Sequence, residues 1–164
     1  MDNFPNISPD EISNIESRAI KDTEQPLITL RSFLYSFSEK YGKPIGEGRH
    51  RLVFSYSDSE VLKVPKNKNG IYDNLFEWNL YLKLGSKQIP CMPVLAKCHS
   101  LKYIHKIPCV VMERVSPIKL SHYLGSIPSW ANVIDRKQLG QNKAGVLVAF
   151  DYADLNSAAF TFSI

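Results

Sequence analysis

Cysteines and long apolar runs are both scarce in this sequence of 164 residues. The longest apolar stretches, around residues 110–112 and 146–150, fall far short of the roughly 20 residues that a bilayer-spanning helix needs. The three cysteines are odd in number and form no C-x-x-C pair, which is typical of reduced thiols and excludes a disulfide scaffold. Residues 1–10 hold acids and prolines where a secretory signal has a basic start and an apolar stretch. We therefore expect a cytoplasmic protein without a membrane span.

Charge of one sign is not concentrated either. Twenty Lys and Arg residues face 16 Asp and Glu residues, for a net charge of +4, whereas a duplex-binding protein usually presents a clustered basic face. The balance argues against nucleic acid as a partner. Hydrophobic residues make up 44% of the chain and charged residues 22%, which is ordinary for a globular domain large enough to build its own core.

Two amphipathic helices are predicted before residue 42. Ser8, Pro9 and Glu11 form a capping-box arrangement that starts the first helix, and apolar residues then recur at helical spacing up to Ala19. The second helix is predicted over residues 29–41, with an apolar stripe made of Leu30, Phe33, Leu34, Phe37 and Tyr41. We assign residues 1–42 to a helical extension and residues 43–164 to the main domain. The helices either cover an exposed sheet or groove or form a partner-binding arm.

From residue 44 the apolar period shifts toward two, as in strands. A hairpin is predicted from strands at 51–56 and 60–64, with Gly46-Glu47-Gly48 at its entrance. A helix is predicted over 71–84 and ends at Gly85, with Leu75, Trp78, Tyr81 and Leu82 on its packing side. Further strands are expected at 93–97, 102–105, 109–114 and 146–150, a short helix at 116–123, and a loop-rich segment at 126–145.

Five motifs follow one another in order between residues 44 and 154. Residues 46–53 follow the pattern G-x-G-x-x-G-x-V, with Arg51 where the third glycine belongs. Lys63 lies in a Val-Leu-Lys strand, Glu77 in the next helix, residues 110–115 form an apolar strand and its exit, and Asp151-Tyr152-Ala153 follows another apolar strand. This order resembles the N-terminal lobe, hinge and D-F-G turn of the protein kinase-like fold. The alternative is an unrelated α+β domain.

The resemblance implies an α+β fold: a kinase N-lobe-like antiparallel sheet with one packed helix, preceded by the two helices. It also implies ATP and Mg²⁺ as cofactors. Gly46 and Gly48 would let the backbone approach a polyphosphate. Lys63 would contact the phosphates while Glu77 holds its ammonium, the alternative being a surface salt bridge. Asp151 would hold Mg²⁺. Adenine would lie against Ile45, Val53 and Met112 and hydrogen-bond the main chain at Glu113 and Val115.

Departures from the family pattern are equally informative. The chain has no His-Arg-Asp catalytic loop, and Asp135 is the carboxylate placed to act as a catalytic base, with helix capping or a salt bridge as the alternative role. Gly140 stands where the family has a second metal-binding Asn, and Asn142 is displaced by two. Only 19 residues separate Val115 from Asp135, and ten follow Asp154. We therefore expect the large C-terminal lobe to be largely missing.

These features predict a truncated, pseudokinase-like nucleotide-binding module, similar in size to small proteins of phage or mobile-element type. It would act by binding a protein partner or a second copy, with weak or no phosphoryl transfer. The alternatives are a small active ATP-dependent phosphotransferase and a nucleotide-free inhibitor or interaction protein. Loss of the lobe is expected to uncover an apolar surface, which either the N-terminal helix or a partner would cover. The residues expected in that surface are Met112, Leu120, Tyr123, Trp130 and Phe150.

Overall fold

A computed structural model describes residues 26–85, 93–132, 134 and 136–153. The first predicted helix, Asp135, Cys91 and the tail after residue 153 lie outside these residues. The helices are α1 (Pro26–Tyr41) and α2 (Lys68–Leu80), which continues as a π-helical turn at Tyr81–Gly85. The strands are β1 (Gly46–Glu47), β2 (Arg51–Ser55), β3 (Glu60–Pro65), β4 (Cys98–Ile104), β5 (Ile107–Glu113), β6 (Ser116–Pro117), β7 (Leu139–Gln141) and β8 (Leu147–Ala149). Short 3₁₀ turns lie at Leu120–His122, Ser129–Asn132 and Arg136–Gln138.

Two antiparallel sheets organise the domain. The larger has five strands in the order β1-β2-β3-β5-β4, and the smaller has three in the order β6-β7-β8. The predicted hairpin is present, since β2 pairs with β3 from Arg51 opposite Pro65 to Ser55 opposite Val61. A second hairpin joins β4 to β5 through His105 and Lys106, both at positive φ, as two-residue hairpin turns require. The α+β class expected from the sequence is confirmed.

Helix α1 covers one face of the large sheet. Phe33 and Phe37 are buried, and the ring of Phe37 lies 5.7 Å from that of Phe54 on β2. The partners on the sheet are alternate residues of β3 and β5, as the period of two in a strand demands; they include Leu62, Val64, Cys109 and Val111. The expectation that a preceding helix covers a sheet is therefore met by this helix.

The opposite face of the sheet is covered by α2 and by the segment after β5. Met112 and Trp130 are only 1% and 6% exposed, and Phe150 and Tyr123 pack at the edge of the same cluster. The expectation that these side chains are uncovered together is wrong, because Ile134, β7 and β8 pack against them. The side chain of Leu120 lies outside the described ones.

Three local expectations also need correction. Helix α2 starts earlier than predicted, because the side chain of Asn67 caps it by accepting from the amide of Gly70. Its buried positions are Gly70, Ile71, Asn74 and Glu77. Of the expected packing residues, Trp78 and Tyr81 are partly buried against the core, whereas Leu82 is exposed. The buried face formed by residues 71, 74 and 77 is thus largely polar. A search for apolar residues at helical spacing therefore does not detect it.

The other two corrections concern residues 116–123 and residues 93–97. The helix expected at 116–123 is replaced by strand β6 and one 3₁₀ turn, where Pro117 pairs opposite Gly140 at the edge of its sheet, a position that tolerates proline. The strand expected at 93–97 reduces to a single parallel bridge between Leu95 and Ala149. Among the described helices, none is long and apolar enough to cross a bilayer.

Candidate functional site

The pair expected from the motif order is present at the junction of β3 and α2. The Nζ of Lys63 lies 2.9 Å from both carboxylate oxygens of Glu77. Lys63 is 4% exposed and Glu77 is 0% exposed, so the pair is not the surface salt bridge considered as the alternative. Nζ also donates to the main-chain carbonyl of Phe150 at 2.6 Å. The three protons of the ammonium therefore have three acceptors within the protein.

A second buried cation, Arg51, completes the site, and this role was not expected from the sequence. Its Nη1 lies 2.8 Å from Oε2 of Glu77, and its Nη2 lies 3.2 Å from Oε1. Nη1 also donates to Oδ1 of Asn74 at 3.3 Å. The same guanidinium forms an ion pair with Asp151. The residue that replaces the third glycine of the motif thus joins Glu77 to Asp151.

Asp151 lies at the mouth of the site, with 45% of its side chain exposed. Its Oδ1 is 3.7 Å from the Nζ of Lys63 and is also paired with Arg51. Burial alone would raise the pKa of the Asp151 carboxyl, but the positive charges of Lys63 and Arg51 outweigh it and hold the pKa below the usual range. This carboxylate therefore stays ionised at neutral pH. We call Arg51, Lys63, Glu77 and Asp151 the ion cluster.

Main-chain and amide groups fix the ion cluster in place. Asn74 donates to the carbonyls of Lys63 at 3.0 Å and Pro108 at 2.9 Å, which ties α2 to β3 and β5. The amide of Tyr152 donates to Oε1 of Glu77 at 3.1 Å. Because each bond joins a different element to α2, the carboxylate of Glu77 has little freedom to move.

Tyr152 anchors the turn that carries Asp151. Its ring is fully buried, and its hydroxyl donates to the carbonyl of Ala96 at 3.1 Å and lies 2.9 Å from the Sγ of Cys98. Burial raises the pKa of the Tyr152 hydroxyl above its usual range, and burial likewise raises the pKa of the Cys98 thiol to about 12. Both groups are therefore neutral and act as hydrogen-bonding parts of the core.

The cluster extends toward the surface through His50 and Asp73. The Nδ1 of His50 lies 3.0 Å from Oδ2 of Asp73, and the Nε of Arg51 lies 4.0 Å from the same oxygen. Arg51 is consequently flanked by carboxylates from two turns of α2. Burial alone would lower the pKa of Arg51, but the charges of Glu77 and Asp151 outweigh it and raise the pKa. The guanidinium is permanently charged.

The main-chain groups of the glycine turn are partly used in contacts within the protein. Gly46 pairs with Val53 within the sheet, and the amide of Gly48 donates to the carbonyl of Arg51 at 2.9 Å. Lys66 contacts the Glu47 carboxylate and the Gly48 carbonyl. The Gly48 amide is therefore used inside the turn.

The residues expected to hold adenine lie partly together. Met112 is buried in the core on the α2 side of the sheet, and Val53 and Val115 pack against that core. Ile45 is more than half exposed at the end of β1. The amide of Glu113 donates to the carbonyl of Lys97 at 2.8 Å, and its carboxylate accepts from the amide of Lys97 at 2.7 Å. The main chain and side chain of Glu113 thus fasten the end of β5 to Lys97.

The residues present do not fit a resident Mg²⁺ ion. Across the described ranges, no group of three or more His, Cys, Asp or Glu side chains could hold a metal. Asp151 and Glu77 face Arg51 and Lys63 instead. At Gly140, an added Cβ would lie 2.4 Å from Cγ1 of Val115 and 2.6 Å from the carbonyl oxygen of Ser116. Without a main-chain shift, no metal-binding side chain has room there.

Asn142, the displaced alternative to Gly140, is also committed elsewhere. Its Oδ1 accepts from the amides of Ala144 at 3.1 Å and Val146 at 3.0 Å. It therefore shapes the turn between β7 and β8, as Asn side chains commonly do.

No protein-family model matches the chain, and no curated protein matches it in sequence.

Proposed function

We propose that this chain is a kinase-like module that binds a nucleotide with weak or no phosphoryl transfer and acts through protein binding. The observation that carries the proposal is the buried pair of Lys63 and Glu77, with Asp151 beside it on a turn after a buried strand. A lysine on the third strand, a glutamate on the following helix and a distant aspartate converge on one point. That convergence is the arrangement that the motif order predicts.

The same geometry argues against efficient transfer. Phosphoryl transfer needs metal ions to bridge the phosphates and a residue to orient the nucleophile. The Lys63 ammonium already has three acceptors inside the protein, and the space that a side chain of the second metal ligand would need at Gly140 is filled by the Val115 side chain and the Ser116 main chain. Asp135, the expected base, lies outside the described residues. A slow or absent turnover is the outcome that these contacts favour.

Nucleotide binding is the first property to test. Thermal unfolding of the full chain would be followed with ATP, ADP or inorganic phosphate, each in Mg²⁺ and in EDTA. At about 100 times its dissociation constant, a ligand stabilises the folded state by roughly 2.7 kcal/mol, which is several degrees at this size. Lys63→Met removes the charge at similar length, and we expect it to abolish the shift if it folds. Val146→Thr on the exposed turn is a matched control that should retain it.

A nucleotide-free interaction protein is the second candidate. It is favoured because the charged groups of Lys63 and Arg51 already have partners inside the protein. Absence of any shift at millimolar ATP, in a chain that unfolds cooperatively, would put this candidate first. A radiolabelled ATP assay separates both from an active phosphotransferase, since turnover at rates of about 1 s⁻¹ or more is ordinary for kinases.

Protein binding is tested separately by light scattering at micromolar concentration. Leu124 is fully exposed and Ile127 nearly half exposed in the segment after β6, so Leu124 is an apolar side chain that a partner could reach. A mass above that of one chain, lowered by Leu124→Ser, would identify self-association. A monomer that Leu124→Ser leaves unchanged would require a different protein as the partner.

A further inference from the structure

The position of Arg51 relative to Asp151 and Glu77 carries a further inference. Both carboxylates direct an oxygen at the same guanidinium, since Nη1 is 2.8 Å from Oε2 of Glu77 and Nη2 pairs with Asp151. The kinase-like motifs would give the space beside Asp151 to a divalent metal, which prefers carboxylate oxygens. Here that space is filled by a side chain of the protein, from a strand position 100 residues away from Asp151.

Charge balance supports the same reading. The ion cluster holds two cations, Arg51 and Lys63, and two anions, Glu77 and Asp151, and the carboxylate of Asp73 lies 4.0 Å from Arg51 as an outer contact. A divalent cation entering beside them would face two fixed positive charges in a largely buried site, where such repulsion is strong. It would also have to displace a guanidinium held by Asn74 and by two turns of α2.

Arg51 is also well suited to stay in place. Its guanidinium is permanently charged, and its planar fork can bind two carboxylates at once. The side chain is buried, and its main chain is fixed by pairing opposite Pro65 in the sheet. A mobile surface arginine would exchange with solvent cations, whereas this one is part of the core.

We propose that Arg51 is an internal cation that takes the place of a divalent metal at Asp151 and excludes it. The idea that a metal belongs there rests on the proposed kinase-like function, but the exclusion itself depends only on the ion cluster. It further specifies the ligand class: a nucleotide that binds this site does so without a metal ion. The motif departure at position 51 is thereby connected to the departures at Gly140 and Asn142, which also remove metal ligands.

The test uses Mn²⁺ alone, so that failure of nucleotide binding does not affect it. Free Mn²⁺ is measured by electron paramagnetic resonance in titrations of the full chain. Wild type and Asp151→Asn should bind Mn²⁺ equally weakly. Arg51→Met, which keeps the length and removes the charge, should bind at least about tenfold more tightly, since one positive charge within hydrogen-bond distance of Asp151 is gone. Arg51→Met/Asp151→Asn should lose this gain.

Two results would overturn the proposal. One is a wild-type chain whose Mn²⁺ binding disappears in Asp151→Asn, because Arg51 would then not exclude the metal. The other is a folded Arg51→Met that gains no binding. Arg51→Lys retains one charge and should gain little. If Arg51→Met does not fold by circular dichroism, Arg51→Gln, which can still hydrogen-bond Asn74, replaces it in the same comparison.

Discussion

Replacing Glu77 by glutamine tests whether the ion cluster exists as described. Glu77 is fully buried and accepts hydrogen bonds from Lys63, Arg51 and the amide of Tyr152. Glutamine keeps the shape but carries no charge, and its amide nitrogen would face one of the two cations. Arg51 and Lys63 would then share only Asp151, which is partly exposed and therefore a weaker partner, and Arg51 would keep its longer contact with Asp73 at 4.0 Å.

The expected magnitude follows from the burial of the pair. Removing one partner of a buried ion pair costs about 3–5 kcal/mol, because the other charge is left without compensation. Domains of this kind have a total stability of about 5–15 kcal/mol. We therefore expect Glu77→Gln to lose a large part of the free energy of unfolding and to lower Tm by about 6–20 °C.

Urea unfolding followed by tryptophan fluorescence measures this change, because Trp130 is buried and Trp78 half-buried. Glu39→Gln on the exposed side of α1 is the matched control and should stay within about 0.5 kcal/mol of wild type. Adding Lys63→Met to Glu77→Gln should cost less than the two single changes together, because the uncompensated ammonium is removed. A loss below about 1 kcal/mol in Glu77→Gln would mean that the carboxylate is hydrated, and the reasoning would fail.

Three further predictions concern pH, thiol reactivity and packing. Because the folded state holds the pKa of Asp151 below its ordinary 3.8, the carboxylate stabilises the fold above about pH 4, and this contribution is lost as the pH falls through the folded pKa. Asp151→Asn should therefore reduce the dependence of the free energy of unfolding on pH in that window. An unchanged dependence would contradict the prediction. Burial raises the pKa of both Cys98 and Cys109 to about 12, so mass spectrometry should find neither thiol labelled by iodoacetamide at pH 8 until urea unfolds the chain. Phe37→Ala should cost about 3–5 kcal/mol in urea unfolding, whereas Tyr35→Ala, exposed on the same helix, should cost under about 0.5 kcal/mol; equal losses would show that α1 does not pack on the sheet.

Strands were the part of the fold that the sequence predicted best. The alternation and turn residues around 51–64 specify a hairpin locally, and the apolar run in β5 indicates a strand buried on both faces. The predictions for segments 93–97 and 116–123 are wrong for a common reason. Their structure is decided by partners far along the chain, Ala149 for Leu95 and Gln141 for Ser116. Local patterns carry no information about such pairing.

The candidate site was predictable in part for a similar reason. Lys63 and Glu77 were expected together because their order after a glycine turn matches a known motif. Arg51 and Asn74 were missed, since a charged or amide residue in an amphipathic element is ordinarily taken to face water. A signal was available at each position. Arg51 stands where the motif has glycine, and Asn74 lies three residues before Glu77 on the same face of α2.

A cluster of this kind contributes little net stability compared with well-packed apolar residues of similar volume, since removing the charges from water offsets most of their attraction. Its more specific effect is geometric. Arg51 and Asp151 are 100 residues apart, and they meet only when β2, α2 and the turn after β8 are all in place. Once they meet, the turn that would present a metal-binding carboxylate is held by a cation from within the protein. Under the proposed function, the fold would keep the strand, helix and turn that the kinase-like motifs predict, while Arg51 would close the position that metal-assisted phosphoryl transfer requires.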